Sequence, residues 1–371
     1  MKIKKRTRNI ILISVGVLIC LFIFQNYNFE KDRKSFENII ILAGNGDVKT
    51  AFEKMEENKS LTNPVINYSY QDWRTKMYTR FTTDEEIIEN TSKNKIVNDI
   101  STIYRAYWKS ELLKETKDRT DSTLYTNITN YILENNLTSL STDSLKQTIK
   151  NDIELGRILK EQGFKTRFMY RNGFQDLIIW DQETINKHEV ILPKDTIITT
   201  VIFIESYHLN GYDNYATISK SSVGGWAMKE SATLYCNKSH YDLNSEKFKI
   251  SYLKHESIHF TDLNEYPNLS SADLEYRAKV IELMYCTKKT VHIRISEFIN
   301  GASSKERTHS HPYANYSLIK GMSKILFDSE YESDFDKWKN TSVEEINKAA
   351  TQLYNQSEST LLEDKNVKEI I

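Results

Sequence analysis

Proline and glycine are scarce in this chain, with four and eleven residues in 371. Proline removes a backbone donor and glycine adds conformational freedom, so both interrupt regular structure. Their scarcity excludes long disordered linkers and points to a helix-rich body. Cysteine is scarcer still, limited to Cys20, Cys236 and Cys286. No Cys-x-x-Cys spacing occurs, which argues against a thiolate zinc site. Cys236 and Cys286 fit one disulfide or two buried thiols equally well. Charge of either sign is in no excess: 50 Lys and Arg face 51 Asp and Glu, a net charge of −1. That balance gives no basis for a nucleic-acid partner. No internal repeat is found.

The N-terminus carries a targeting pattern. Lys2, Lys4, Lys5, Arg6 and Arg8 precede an apolar run from Ile10 to Phe24. Fifteen residues are fewer than the ~20 of an ideal membrane span, but many for a cleaved signal. Bulky residues fill Leu21 to Asn28, so no small-x-small cleavage site follows. Val17-Leu18-Ile19 before Cys20 lacks the small residues of a lipidation site. The expectation is a basic cytoplasmic region over 1–9 and an uncleaved transmembrane anchor over 10–25. Residues from Asn26 onward then lie outside the cytoplasm, by the positive-inside rule.

Beyond the anchor, residues 29–154 carry helical spacing, as in Ala51-Phe52-Glu53-Lys54-Met55 and Ile96 to Tyr104. Tyr104, Tyr107 and Trp108 form an aromatic stripe of the kind that builds a core. Leu159 to Gly163 reads as a helix with a glycine C-cap. Ile178-Ile179-Trp180, Glu189 to Pro193, Thr196 to Phe203, Tyr215 to Lys220, Gly224 to Met228 and Ala232 to Cys236 read as strands. Gly224-Gly225 permits either a close backbone approach or a hairpin turn, and the glycines alone favour the turn. The chain from residue 331 is charged and helical.

One stretch carries chemistry: His255-Glu256-Ser257-Ile258-His259, an H-E-x-x-H pattern. Positions i and i+4 share a helix face, so both imidazoles can reach one metal ion. Glu256 follows the first histidine, placed to act on water at the metal without ligating it. The surroundings are helical, since Lys247 to Leu263 lacks Gly and Pro, and Asn244 or Ser245 can serve as N-cap. Pro267 breaks the chain. Ser270-Ser271-Ala272-Asp273 then offers a capping box for a second helix, Ser271 to Tyr285.

Over Lys247 to Tyr285 the chain resembles the gluzincin superfamily of zinc metallopeptidases. Those enzymes take a third ligand from a Glu on the following helix, often in an E-x-x-A setting. Glu275-Tyr276-Arg277-Ala278 matches it, sixteen residues after His259. The resemblance implies one Zn²⁺ per chain held by His255, His259 and Glu275, with Glu256 as general base. Ala278 would let the two helices approach closely. The implied fold is α+β: a helical region over 29–154, a zincin-like catalytic domain over 155–330 with a small antiparallel sheet, and a helical tail over 331–371.

Rival assignments exist. Asp262 and Glu265 stand where a metzincin has its Gly and its third ligand, but neither residue type matches. Asp262 then orients a ligand or faces solvent, and Glu282 can serve as ligand or supporting acid. Glu275 with Lys279 also reads as an i,i+4 surface pair. Downstream, His311 and Tyr316 are the candidates for stabilising a developing oxyanion. The expected activity is hydrolysis of a peptide or protein substrate by a membrane-anchored, extracytoplasmic zinc enzyme. The alternative is a membrane-tethered binding or envelope-maintenance protein of the same fold without turnover. Fractionation tests the anchor. The full chain should stay in the membrane fraction with its basic N-terminus attached, and a soluble mature form beginning after Phe24 would contradict it.

Overall fold

The computed structural model describes residues 28–85, 92–228 and 231–371. The basic region and the anchor expected over 1–25 lie outside the described residues. Among those described, no helix is long and apolar enough to cross a membrane. The architecture is α+β and divides into two compact units. One runs to Gln182 and resumes over Ser206–Val223. The other takes Glu183–Glu205 and Gly224–Ile371.

The first unit holds helix α1 (28–44) and α2 (Val48–Glu57), α3 (Pro64–Thr82), α4 (Lys95–Leu112), α5 (Ser122–Glu134), α6 (Thr142–Lys150) and α7 (Ile153–Glu161). Strands β1 (Lys165–Arg171), β2 (Phe174–Trp180) and β5 (Tyr207–Asn210) follow, forming an antiparallel sheet in the order β1-β2-β5. The stripe of Tyr104, Tyr107 and Trp108 on α4 lies in the core, as its spacing requires. Trp108 Nε1 donates to Gln175 O at 2.9 Å, so the buried indole keeps a partner.

Two sequence expectations are corrected in this unit. The boundary set at 154/155 falls inside it, because α7 packs on β1 and shares the core of the preceding helices. The strand expected over Tyr215 to Lys220 is instead the end of α8 (Gly211–Ala216) and a left-handed turn, with Ile218 and Ser219 at φ 52° and 61°. Capping bonds override β-propensity here. Thr217 N donates to Asp213 O and Ser219 N to Asn214 O, while Trp73 Nε1 holds Thr217 O at 2.7 Å.

The second unit is built on a four-stranded sheet, β3 (Glu183–Ile191), β4 (Thr196–Ile204), β7 (Thr233–Asn237) and β6 (Gly225–Met228), in that spatial order. It is mixed rather than antiparallel, because β4 and β7 run parallel, with Ile202 opposite Tyr235. Parallel neighbours need a long connection, and the chain supplies one by leaving this unit for Ser206–Val223 before returning.

Helix α9 (Glu246–Phe248) begins at Ser245, whose side chain accepts from Phe248 N at 3.2 Å. The helix expected to run on without a break instead passes through a π turn, Lys249–Lys254, before α10 (His255–Glu265). Wide i→i+5 turns of this kind rotate the following face and recur at functional sites. After Pro267, Ser270 caps α11 (Ser271–Tyr285). Helices α12 (Val291–Asn300), α13 (Ser310–Phe327), α14 (Phe335–Lys339) and α15 (Val343–Glu363) complete the unit. The residues expected as a C-terminal tail are a wall of this core. Ile346, Ala350 and Leu353 are buried, and α15 packs on α11 and α13.

A buried ionic cluster fixes α10, α11 and α15 to one another. Arg277, 1 % exposed, grips Asp262 through Nε at 2.7 Å and Nη2 at 2.9 Å. It also donates to Ser357 Oγ at 2.8 Å and Glu358 Oε2 at 2.9 Å. Lys194 and the Tyr266 hydroxyl reach Glu358 at 2.6 and 2.7 Å. Burial alone would raise the Glu358 pKa, but Lys194, Tyr266 and Arg277 together hold it at about 2. Removing one member of such a cluster strands the others. Arg277→Met is therefore expected to cost about 3–5 kcal/mol, read by urea unfolding. Because the folded Glu358 pKa is depressed, its contribution is present above the ordinary glutamate value and is lost as pH falls toward 2. Glu358→Gln should flatten that acid limb, and an unchanged limb would contradict the assignment.

Candidate metal centre

The π turn and α10 together are tied to three strands of their sheet. The Lys254 ammonium donates to Ile191 O on β3, and Ser257 Oγ meets Thr199 Oγ1 on β4 at 2.8 Å. In the π turn, the Tyr252 hydroxyl donates to Tyr235 O on β7 at 2.7 Å. These ties set the rotation of the helix, and His255 and His259 face α11. Their rings meet edge to face, with centroids 5.1 Å apart. Glu275 comes from α11 to sit between them. Its Oε2 is 3.4 Å from His255 Nε2, and its Oε1 is 3.5 Å from His259 Nε2. The three side chains are 8, 12 and 14 % exposed, so solvent does little to neutralise them.

This group can hold a metal ion, since one ligand atom from each residue lies within 4.8 Å of the others. Ligand atoms about 2.0–2.2 Å from a tetrahedral ion stand about 3.3–3.6 Å apart, and each imidazole lies at that separation from one of the two carboxylate oxygens. The hydrogen bonding agrees. Glu275 Oε2 is buried, and it makes no well-directed hydrogen bond. Buried polar atoms rarely go unsatisfied without a reason, and an ion between the three groups supplies one. Two nitrogens and one carboxylate oxygen are a donor set that zinc accepts.

The charges reinforce one another. Burial lowers the His255 pKa, but Glu275 and Glu282 outweigh it and lift the value to about 10. Burial likewise opposes ionisation of Glu275, yet His255, His259 and His311 hold its carboxyl far below the usual carboxylate range. Glu282 accepts from His255 Nδ1 at 2.8 Å. That bond holds a proton on Nδ1, so a metal ion would take the place of the Nε2 proton, an arrangement in which an outer carboxylate orients and strengthens a histidine ligand.

Other sequence candidates fall into place around this centre. Glu282 contacts His255 and stands outside the three-residue group. Asp262 neither orients a ligand nor faces solvent, being gripped by Arg277. Glu265 pairs with Lys194 at 3.0 Å. Glu275 and Lys279 are not a surface pair, since both point inward and lie 3.8 Å apart. His311, at the start of α13, reaches the site with Nδ1 2.9 Å from Glu275 Oε2. Tyr316 does not. Its ring stacks on Tyr331 with centroids 5.2 Å apart, a turn and a half further along α13.

An open cleft of about 380 Å³ adjoins the centre, with His255, Glu256, Tyr241 and His311 among its lining residues. Gly225 borders it, and a side chain there would put Cβ 2.4 Å from Tyr235 O and 2.6 Å from Tyr252 Oη. Close approach, not a turn, explains that glycine. Tyr241 escaped the sequence reading because it stands in a polar, turn-like stretch with no motif around it. Burial pushes its hydroxyl up to about 12, helped by Glu256 and Glu282 nearby, so it keeps its proton at neutral pH. Comparison with protein-family models, curated proteins and solved structures finds no match to this chain.

Metal retention tests the assignment. Glu275→Gln should lose most of its bound zinc, and Glu282→Gln should weaken affinity about 10–100-fold, read by competition with a chromophoric chelator. Glu265→Gln should bind as the wild type does. Loss in Glu265→Gln with retention in Glu275→Gln would reverse the ligand set.

Proposed function

We propose that the chain is a zinc-dependent hydrolase, a peptidase of the gluzincin kind. The observation that carries this reading is Glu256 lining an open cleft directly beside a buried His255–His259–Glu275 group. A metal held only for structure needs no free carboxylate beside it, and no cleft. Zinc bound there supplies a Lewis acid that polarises the scissile carbonyl and acidifies water.

The chain's own groups do the rest. Glu256 is the next residue after His255 and a partly exposed carboxylate of the cleft. It accepts the proton of the attacking water and hands it to the leaving amine. The Tyr241 hydroxyl, protonated and in the same cleft, donates to the carbonyl oxygen as negative charge builds on it. Tyr241 thereby takes the part first expected of Tyr316. His311 steadies the Glu275 carboxylate through Nδ1. The location proposed for this activity remains the outer face of a membrane, on the strength of the N-terminal pattern.

Glu256→Gln separates turnover from folding and metal binding. The amide preserves shape but cannot accept a proton, and general-base contributions are ~10²–10⁴-fold. Hydrolysis of a broad peptide library should fall by that factor, while zinc content and melting temperature stay at wild-type values. Tyr241→Phe should cost roughly 10²–10³-fold. Zinc-loaded wild type that cleaves nothing across the library would favour the membrane-tethered binding reading instead.

A further inference from the structure

The cleft beside His255 carries cations that its own carboxylates do not satisfy. Lys247 on α9, Lys279 on α11 and Arg294 on α12 all line it. Lys279 is 7 % exposed, with its ammonium 5.3 Å from the centroid of the Phe298 ring. Its ion pair is with Glu275 Oε2, at 3.8 Å. A divalent ion held by Glu275 takes that negative charge for itself, and its own charge opposes the ammonium. Arg294 uses Nη1 on Glu297 at 2.5 Å, while its Nε lies 3.5 Å from Glu282 Oε2. Glu282 is already committed to His255.

With the ion bound, Lys247, Lys279, Arg294 and the divalent charge make five positive against four negative from Glu256, Glu275, Glu282 and Glu297. A largely buried ammonium left without an anion is costly, and a cleft of one net sign concentrates ligands of the other. An anion entering the cleft restores the balance, and arginine and lysine both recognise carboxylates well.

We propose that the cleft selects substrates bearing a carboxylate next to the bond that is cut, with Lys279 and Arg294 holding the anion. This rests on the peptidase reading above. The carboxylate can be the C-terminus of a peptide or an Asp or Glu side chain, and the chemistry of recognition is the same for both.

The test measures binding as well as cleavage. Hexapeptide pools with Glu fixed at one position, and the same pools with Gln, are made with free or amidated C-termini. Binding is measured to the zinc-loaded full chain carrying Glu256→Gln, and cleavage is measured with wild type. Pools carrying the recognised carboxylate should bind on the order of tenfold tighter than their neutral counterparts, with the advantage shrinking as salt rises. A preference for free over amidated termini identifies the C-terminal carboxylate, and a Glu-over-Gln preference identifies a side chain. Arg294→Gln and Lys279→Gln should each reduce the ratio to within about twofold, whereas Arg294→Lys, which keeps the charge, should retain most of it. Because the readout is a ratio within each variant, a general loss of affinity does not imitate the effect. Equal binding of charged and neutral pools, or a preference that survives both substitutions, overturns the proposal. Acidic preference in binding without any cleavage would defeat the peptidase reading and leave the anion site standing. Cleavage without acidic preference would do the reverse.

Discussion

A carboxylate buried between two imidazoles is the constraint on which the second unit depends. Glu275 sits 3.4 and 3.5 Å from the facing nitrogens of His255 and His259, nearly shielded from water. Three ionisable groups in an apolar core are tolerated only where charge is balanced and polar atoms are satisfied. His311 and Lys279 approach Glu275 from the cleft side, and Glu282 holds His255 from behind. Even so, Glu275 Oε2 stays without a directed bond. A cation between His255, His259 and Glu275 is the simplest way to complete the set.

Holding that arrangement is the work of the surrounding framework. The π turn, its Tyr252 bond to β7 and the Ser257–Thr199 contact to β4 fix how α10 is rotated. The Arg277 cluster then fixes α11 and α15 against the far end of α10. Both devices lie away from the reacting groups, yet an error of an ångström in either would separate Glu275 from the histidines. Precision at the centre is therefore stored in buried polar contacts several residues away.

Much of this was legible in the sequence, and the parts that were not share a cause. The i,i+4 histidines, the caps at Ser245 and Ser270, and the aromatic stripe on α4 depend on local spacing, which a sequence displays directly. The sheet that proved mixed, the chain's excursion through Ser206–Val223 and the burial of α15 depend on pairings between distant segments. Local pattern carries no trace of those. Thr217 and Ile218 read as strand because β-branching favours it, but helix-capping bonds and a tryptophan donor decided otherwise. Tyr316 and Tyr241 teach the same lesson at the site. With 22 tyrosines in the chain, only tertiary placement shows that one faces the cleft while the other stacks on Tyr331.

A metal ion that completes the buried group can be located in a crystal. Anomalous diffraction at the zinc edge, on crystals of the full chain grown with zinc, tests for it most directly. A single strong peak is expected about 2.0–2.2 Å from His255 Nε2, His259 Nε2 and a Glu275 oxygen, with the His255 Nδ1 to Glu282 bond intact. A chain that takes up no zinc, or a peak lying elsewhere while His255 and Glu275 remain paired directly, would contradict it.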